Sequence, residues 1–335
     1  MKFSTKLICT LVNATIAFAA LNDKQQHDDT FNFWISGPNG GTATLVGLRK
    51  NPTTAKSLTI PANVYVEGIK FKVVDVLDHT FSGNNCPFED IYVSSNVESF
   101  HFDHYSFNDC ANLKRVVLYN DVITTELTAF KNVNKNVQFL SKGTKSFVMD
   151  FTKKLVRDLD IPIKNYSSVT TSDKKNDLFE IAKKLSNYLR NSGVRDSGNV
   201  AVNLVTKYGT SDGYARLFRQ LAIAAGFPES DILVGGDNNG HYWNYVRFGS
   251  YWWNVDVNYP FRVYSTYKNA ESSKPFFLGN KDFKNRVTEN YDITVDPNNF
   301  IVWFTNFGYA DEFRGQQTYD RFNNYISSVG GRRRA

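Results

Sequence analysis

A self-similar pattern between residues 79 and 140 restricts the fold of this chain more than any other feature. His79-Thr-Phe-Ser-Gly-Asn-Asn-Cys-Pro-Phe-Glu-Asp-Ile-Tyr-Val aligns with Tyr105-Ser-Phe-Asn-Asp-Cys-Ala-Asn-Leu-Lys-Arg-Val-Val-Leu, and a weaker third copy starts at Thr128-Ala129-Phe130. The anchors Phe81, Phe107 and Phe130 lie 26 and 23 residues apart. A unit of that length is one supersecondary element and cannot bury its apolar side alone, so neighbouring copies must stack into a continuous core. The spacing predicts one short parallel strand per copy and a cap at the open end. Short alternating runs between Phe31 and Leu48, broken by Gly-Pro and Gly-Gly, are read as that cap, spanning residues 31–57. The mixed polar stretch Lys142 to Ser172 is read as a connector, with a domain boundary near Ile161 to Thr171.

The second constrained stretch runs from Gly209 to Asp256. From Tyr214, the apolar positions Leu217, Phe218, Leu221, Ala224 and Ala225 recur at three- and four-residue spacing, and Gly226 ends the run, which predicts a helix beginning near Ser211. Two more helices are expected upstream, over Asp177–Leu189 and around Val200–Lys207. Tyr242 to Val246 and Tyr251 to Val257 are rich in aromatic and β-branched residues, and Phe248-Gly249-Ser250 turns the chain between them, which reads as a hairpin. A turn centred between Phe248 and Gly249 pairs His241 with Asp256, Cβ atoms about 5 Å apart. An odd-length loop would put them on opposite faces.

A polar group at a helix start, an imidazole and a carboxylate form the layout of a nucleophile, a base and its orienter. Each has a plainer reading. Ser211 is a good N-cap, and His241 with Asp256 is an ordinary hydrogen-bonded cross-strand pair. The aromatic cluster Tyr242, Trp243, Tyr245, Tyr251, Trp252 and Trp253 reads first as core. Alternation turns half of it outward, where Tyr242, Trp243 and Trp252 would line a peptide-binding groove. Further strands are expected at Val263–Tyr267, Ile293–Val295 and Phe300–Phe304, and a last short helix through Tyr319, Phe322, Tyr325 and Ile326.

These blocks resemble the transglutaminase-like domains of the papain-type cysteine peptidase and transferase superfamily. Their pattern is Gly-x-Cys-x-Gly-Tyr/Phe-Ala, then His-x-Trp, then a tryptophan shortly before Val/Leu-Asp. Gly209, Gly213, Tyr214 and Ala215 match the first block; His241, Trp243 and Asn244 the second; Trp253, Val255 and Asp256 the third. The resemblance runs from about Asp173 to Phe283, Phe276-Phe277-Leu278-Gly279 included. It implies catalytic positions at Ser211, His241 and Asp256, with one departure: Ser211 stands where the family carries its cysteine nucleophile, and no cysteine follows residue 110. A thiol, with a reference pKa of about 8.5, ionises beside an imidazolium and a helix N-terminus, whereas a hydroxyl stays protonated. The resemblance therefore implies a catalytically impaired relative that binds protein or peptide. The alternatives are an active acyl-transfer enzyme, with Ser211 as nucleophile and His241 as base then acid, and adhesion through the repeats.

The repeats, over about residues 58–140, resemble the BspA-type leucine-rich repeat of secreted and surface proteins, whose pattern is Ala/Ser-Phe-x-x-Cys-x-x-Leu-x-x-Val/Ile. Such a stacked surface is expected to bind protein or surface glycan. The expected fold class is α+β: a short leucine-rich-repeat β-solenoid with its cap over residues 31–150, then a transglutaminase-like, papain-type α+β domain over 165–330.

At 335 residues the chain has room for two such domains, and 41% hydrophobic with 15% aromatic residues is a globular composition. Residues 1–20 carry Lys2 and Lys6, the apolar run Leu7 to Val12 and Ala17-Phe18-Ala19, which reads as a secretory signal peptide. Nothing later approaches the eighteen or more apolar residues of a membrane span, so a secreted or extracellular location is expected. The formal net charge is +6, of which Lys2 and Lys6 carry two. The tail Arg332-Arg333-Arg334 reads as solvated, and no motif points to nucleic acid. Cys86 and Cys110 occupy nearly equivalent positions in adjacent copies, as a disulfide or as two buried thiols. Asn165-Tyr166-Ser167 matches a glycosylation acceptor. Five scattered histidines and the lack of a glycine-rich phosphate loop imply neither metal nor cofactor.

Overall fold

In the computed structural model, which describes residues 25–37, 40–50, 55–94, 99–191, 200–236, 241–249, 251–258, 301–303, 316–318 and 332–333, the repeats build two parallel ladders. One sheet starts with β1 (Gln26–His27), β2 (Phe31–Ser36) and β3 (Thr42–Leu48), antiparallel to one another. The second contains β4 (Ser57–Ile60). β5 (Asn63–Val66) forms a hairpin with β6 (Ile69–Val76), and β6 runs parallel to β3. β7 (Asp90–Val93) pairs with β4; β8 (Ser99–Phe102) pairs with β6. β9 (Arg115–Leu118) and β11 (Gln138–Leu140) extend the β4–β7 ladder, and β10 (Val122–Thr125) extends the β6–β8 ladder.

The first two copies thus contribute two strands each, one to each sheet, where the spacing predicted one, and the third contributes β11 alone. The second was hidden by its length: Ser99-Phe-His-Phe and Val122-Ile-Thr-Thr are four-residue alternations whose inward residues, Phe100, Phe102, Ile123 and Thr125, are buried. In the other sheet, Leu58, Ile91, Val116 and Phe139 lie in register as one buried row. The anchor rings stack from rung to rung, Phe81 on Phe107 at 5.2 Å and Phe107 on Phe130 at 5.5 Å between centroids. Two residues after each anchor the backbone turns left-handed, at Gly83, Asp109 and Asn132 (φ 54°, 57° and 58°). Glycine, aspartate and asparagine are the residue types that tolerate this conformation.

Cys86 and Cys110 form a disulfide between adjacent rungs, with Cα atoms 5.4 Å apart. Across the other sheet Asp75 faces His101 in register. Burial, reinforced by the charge of Asp103, pushes the Asp75 carboxyl up to about 7, and its Oδ1 is buried without a hydrogen-bond partner.

The stretch read as a connector instead holds a helix, α1 (Gly143–Asp158), that buries Phe147, Val148, Phe151, Leu155 and Val156. The structure divides into two compact units between Phe147 and Val148, inside this helix and ahead of the expected boundary. The second unit contains α2 (Thr171–Tyr188), whose Thr170 cap accepts from the Asp173 amide, then β12 (Arg190–Asn191) and α3 (Val200–Thr206). β13 (Tyr208–Gly209) bridges to β12, and α4 (Ser211–Ala224) follows. Both α2 and α3 pack on α4, which packs in turn on β14 (Ile232–Gly236) and β15 (Tyr242–Phe248). β16 (Tyr251–Val255), β17 (Ile301–Trp303), β18 (Gln316–Thr318) and β19 (Arg332–Arg333) complete a six-stranded sheet in the order β18-β17-β14-β15-β16-β19.

β14 had no counterpart in the sequence reading, and Arg332 and Arg333, of the tail read as solvated, pair in parallel with Tyr251 and Trp252. The expected leader, the strands at 263–267 and 293–295, the run 276–279 and the helix near 319–326 lie outside the described residues.

Candidate active site

The turn that opens α4 is held from beneath. Thr210 is extended, and its carbonyl accepts from the Tyr214 amide at 2.9 Å, so Thr210 is the N-cap and Ser211 the first helical residue. This corrects the reading of Ser211 as a cap: its side chain leaves from the first turn, one position after the cap. Nδ2 of the buried Asn203 on α3 donates to the Tyr208 carbonyl at 2.8 Å. A Cβ at Gly213 would come within 2.8 Å of the same amide group, so only glycine lets the helix rest on it. Tyr214 donates its hydroxyl to the Leu189 carbonyl at 2.9 Å.

Asp212, beside Ser211, pairs with Arg216 one turn on; burial pushes its carboxyl up, opposed by the Arg216 charge and hydrogen bond. Further along the helix, the buried Arg219 donates to the Ile232 carbonyl and to Glu229, each at 2.8 Å, fixing α4 to the start of β14.

His241 precedes β15, and its Nε2 lies 2.9 Å from Oδ2 of Asp256. The two side chains are 6% and 2% exposed. Asp256 Oδ1 accepts from the Asn258 amide at 3.1 Å, so both carboxylate oxygens are engaged and the carboxylate is oriented. Where an ionised carboxylate accepts this bond, Nε2 is the donor, and Nδ1 is then the nitrogen through which the ring would exchange a proton.

The hairpin register pairs Phe248 with Tyr251 and Asn244 with Val255, each with a partner two residues later in the chain than expected. His241 and Asp256 are consequently diagonal rather than direct neighbours. A two-residue shift leaves every side chain on its original face, which is why the contact survives.

The groove reading fares differently. Trp243 and Trp252 are 0% and 1% exposed, so neither can offer a ring to a peptide from solvent. β15 is a central strand, covered on both sides, and Trp243 through Val246 are all buried, which defeats the outward alternation assumed for them. Of the three expected groove residues, Tyr242 is half-buried at the leading end of the strand. The Trp243 ring lies against the imidazole of His241, 5.9 Å between centroids at 25°.

One residue of this region, Asn244, was matched in sequence without being given a part. It is fully buried on β15 and donates Nδ2 to the Ala215 carbonyl of α4 at 2.9 Å and to the Leu233 carbonyl at 3.2 Å. The helix opened by Ser211 and the strand led by His241 are thereby joined. Asn203 was missed altogether; its signal was a lone amide in the apolar run Val200-Ala-Val-Asn-Leu-Val.

No family model matches the chain, and no curated protein does. Among solved structures, it is similar to a leucine rich cell surface protein from Faecalibacterium prausnitzii A2-165, with 18% identity over 35% of this chain and 30% of that one (TM-score 0.25). It is also similar to a leucine-rich repeat protein from Bacteroides ovatus ATCC 8483, with 20% identity, 35% and 37% coverage and a TM-score of 0.24. Similarity to the pneumococcal vaccine antigen PcpA is 14% identity, 36% and 39% coverage and a TM-score of 0.25. The chain spans between 30% and 39% of the length of these structures.

Proposed function

We propose that this chain is a secreted two-domain protein that binds protein or peptide, with a transglutaminase-like, papain-type domain over residues 165–330 whose catalysis is impaired at Ser211. The observation that carries the reading is the 2.9 Å bond between the buried His241 and Asp256, at the head of a strand tied to the helix that Ser211 opens. An acid that fixes one imidazole nitrogen and leaves the other as the route for protons is what a nucleophile's base requires. Amides at the start of α4 are the natural donors for an oxyanion.

Ser211 supplies a hydroxyl to an arrangement suited to a thiolate. Its proton has to move during attack, whereas a thiol would already be ionised. The domain accordingly holds a chain segment beside the pair without cleaving or transferring it. Residues 1–20 act as the signal peptide, and the cap and repeats over 31–150 add a second surface for protein or glycan. The Cys86–Cys110 disulfide supports an oxidising, extracellular compartment.

The test is turnover of amide and ester probes by the parent protein and by His241→Ala. Equal, solvent-level rates are expected for both. A parent rate that His241→Ala abolishes would establish an active serine acyl-transfer enzyme and end the impaired reading.

A further inference from the structure

We infer that Asn244 is a positioning residue that sets the separation of Ser211 and His241, an inference that rests on reading those two residues as parts of one site. Its place in the fold is specific. It lies three residues after His241 and, through Nδ2, reaches the carbonyl of Ala215, four residues after Ser211 and one helical turn on. Within α4 that carbonyl faces the amide four residues ahead, but a carbonyl has two lone pairs, and the asparagine takes the second. The other Nδ2 hydrogen goes to Leu233 on β14, so one amide group fixes the helix to two neighbouring strands at once.

Apolar packing along α4 holds it against the sheet but is non-directional and allows small sliding. A hydrogen bond one turn beyond Ser211 does not, and placement errors of about 1 Å are enough to lower a reaction rate about a hundredfold.

The oxygen of the same side chain argues that stability alone does not explain the residue. Asn244 Oδ1 is buried and has no hydrogen-bond partner. Burying an unsatisfied acceptor is unfavourable, and a leucine of nearly the same shape would fill the position without it. The amide is retained at that cost for what its nitrogen holds.

The reporter is Ser211→Cys in the full chain, alkylated with iodoacetamide across the pH range and read at position 211 by peptide mass mapping. With the ring in place, the thiol titrates about one unit or more below its ordinary value of about 8.5. Adding Asn244→Leu returns the profile to the ordinary value while the far-ultraviolet circular dichroism stays unchanged. A purely structural asparagine would lower the melting temperature and leave the depressed profile in place, and that result overturns the inference. Should Asn244→Leu fail to fold, Asn244→Ser, too short to reach both carbonyls, is read the same way. An ordinary profile in Ser211→Cys alone overturns the site reading itself, so the two failures are distinct.

Discussion

Asp256 uses one carboxylate oxygen on His241 and the other on the Asn258 amide, and this double engagement makes the pair a fixed feature rather than a passing contact. Not every carboxylate in the chain is so well placed. Asp75 is held partly buried near Asp103, its carboxyl pushed up to about 7 by burial first and by that like charge second. Its folded value lies above its unfolded one, so folding takes up a proton. The resulting stability is present in full below the ordinary carboxylate range and is lost as pH rises through about 7. Asp75→Asn removes the dependence. At about pH 8 it should gain on the order of 1 kcal/mol after allowance for solvent screening, a rise of about 2–4 °C in melting temperature, with little change in acid. Thermal melts of both proteins at the two pH values check this, and equal melting temperatures in alkali contradict it.

Between elements, a disulfide reinforces the stack of repeat rungs. Cys86 and Cys110 close a loop with a sequence separation of 24 residues, and they join neighbouring rungs that parallel strand pairing and ring stacking also hold together. Replacing both by serine should lower the stability of the repeat unit by about 3 kcal/mol in chemical denaturation, and reducing agent on the parent should match it. No loss in either experiment would mean that the stacked phenylalanines suffice.

The ladder, the start of α4 and the strands β15 and β16 were legible in the sequence because each has a period: repeated phenylalanines, three-and-four spacing, aromatic-rich runs around a glycine. The hairpin register was misjudged by two residues, an even number, so the faces were right and the partners wrong. Helix α1 was unread because Phe147, Phe151 and Leu155 stand among lysines, threonines and aspartates that resemble a connector. The groove role given to Trp243 and Trp252 failed because alternation says nothing about whether a strand is central or at an edge, and β15 is central. Asn203 and Asn244 act through contacts between elements, to which periodicity within an element is blind.

For the molecule as a whole, two units with different architectures divide the work proposed for it. The repeat unit is a stacked surface whose shape follows from its period. In the C-terminal unit Asn203 bonds the Tyr208 carbonyl just ahead of α4, and Asn244 bonds the Ala215 carbonyl within it. Central to the proposed function is that the hydroxyl at Ser211, in place of a thiol, is what impairs catalysis. The most direct measurement is the rate at which Ser211→Cys hydrolyses an amide probe, compared with the same variant carrying His241→Ala. The account predicts measurable turnover by the first and a loss of about a hundredfold or more in the second. Rates that are equal in the two proteins, or absent from both, would contradict it.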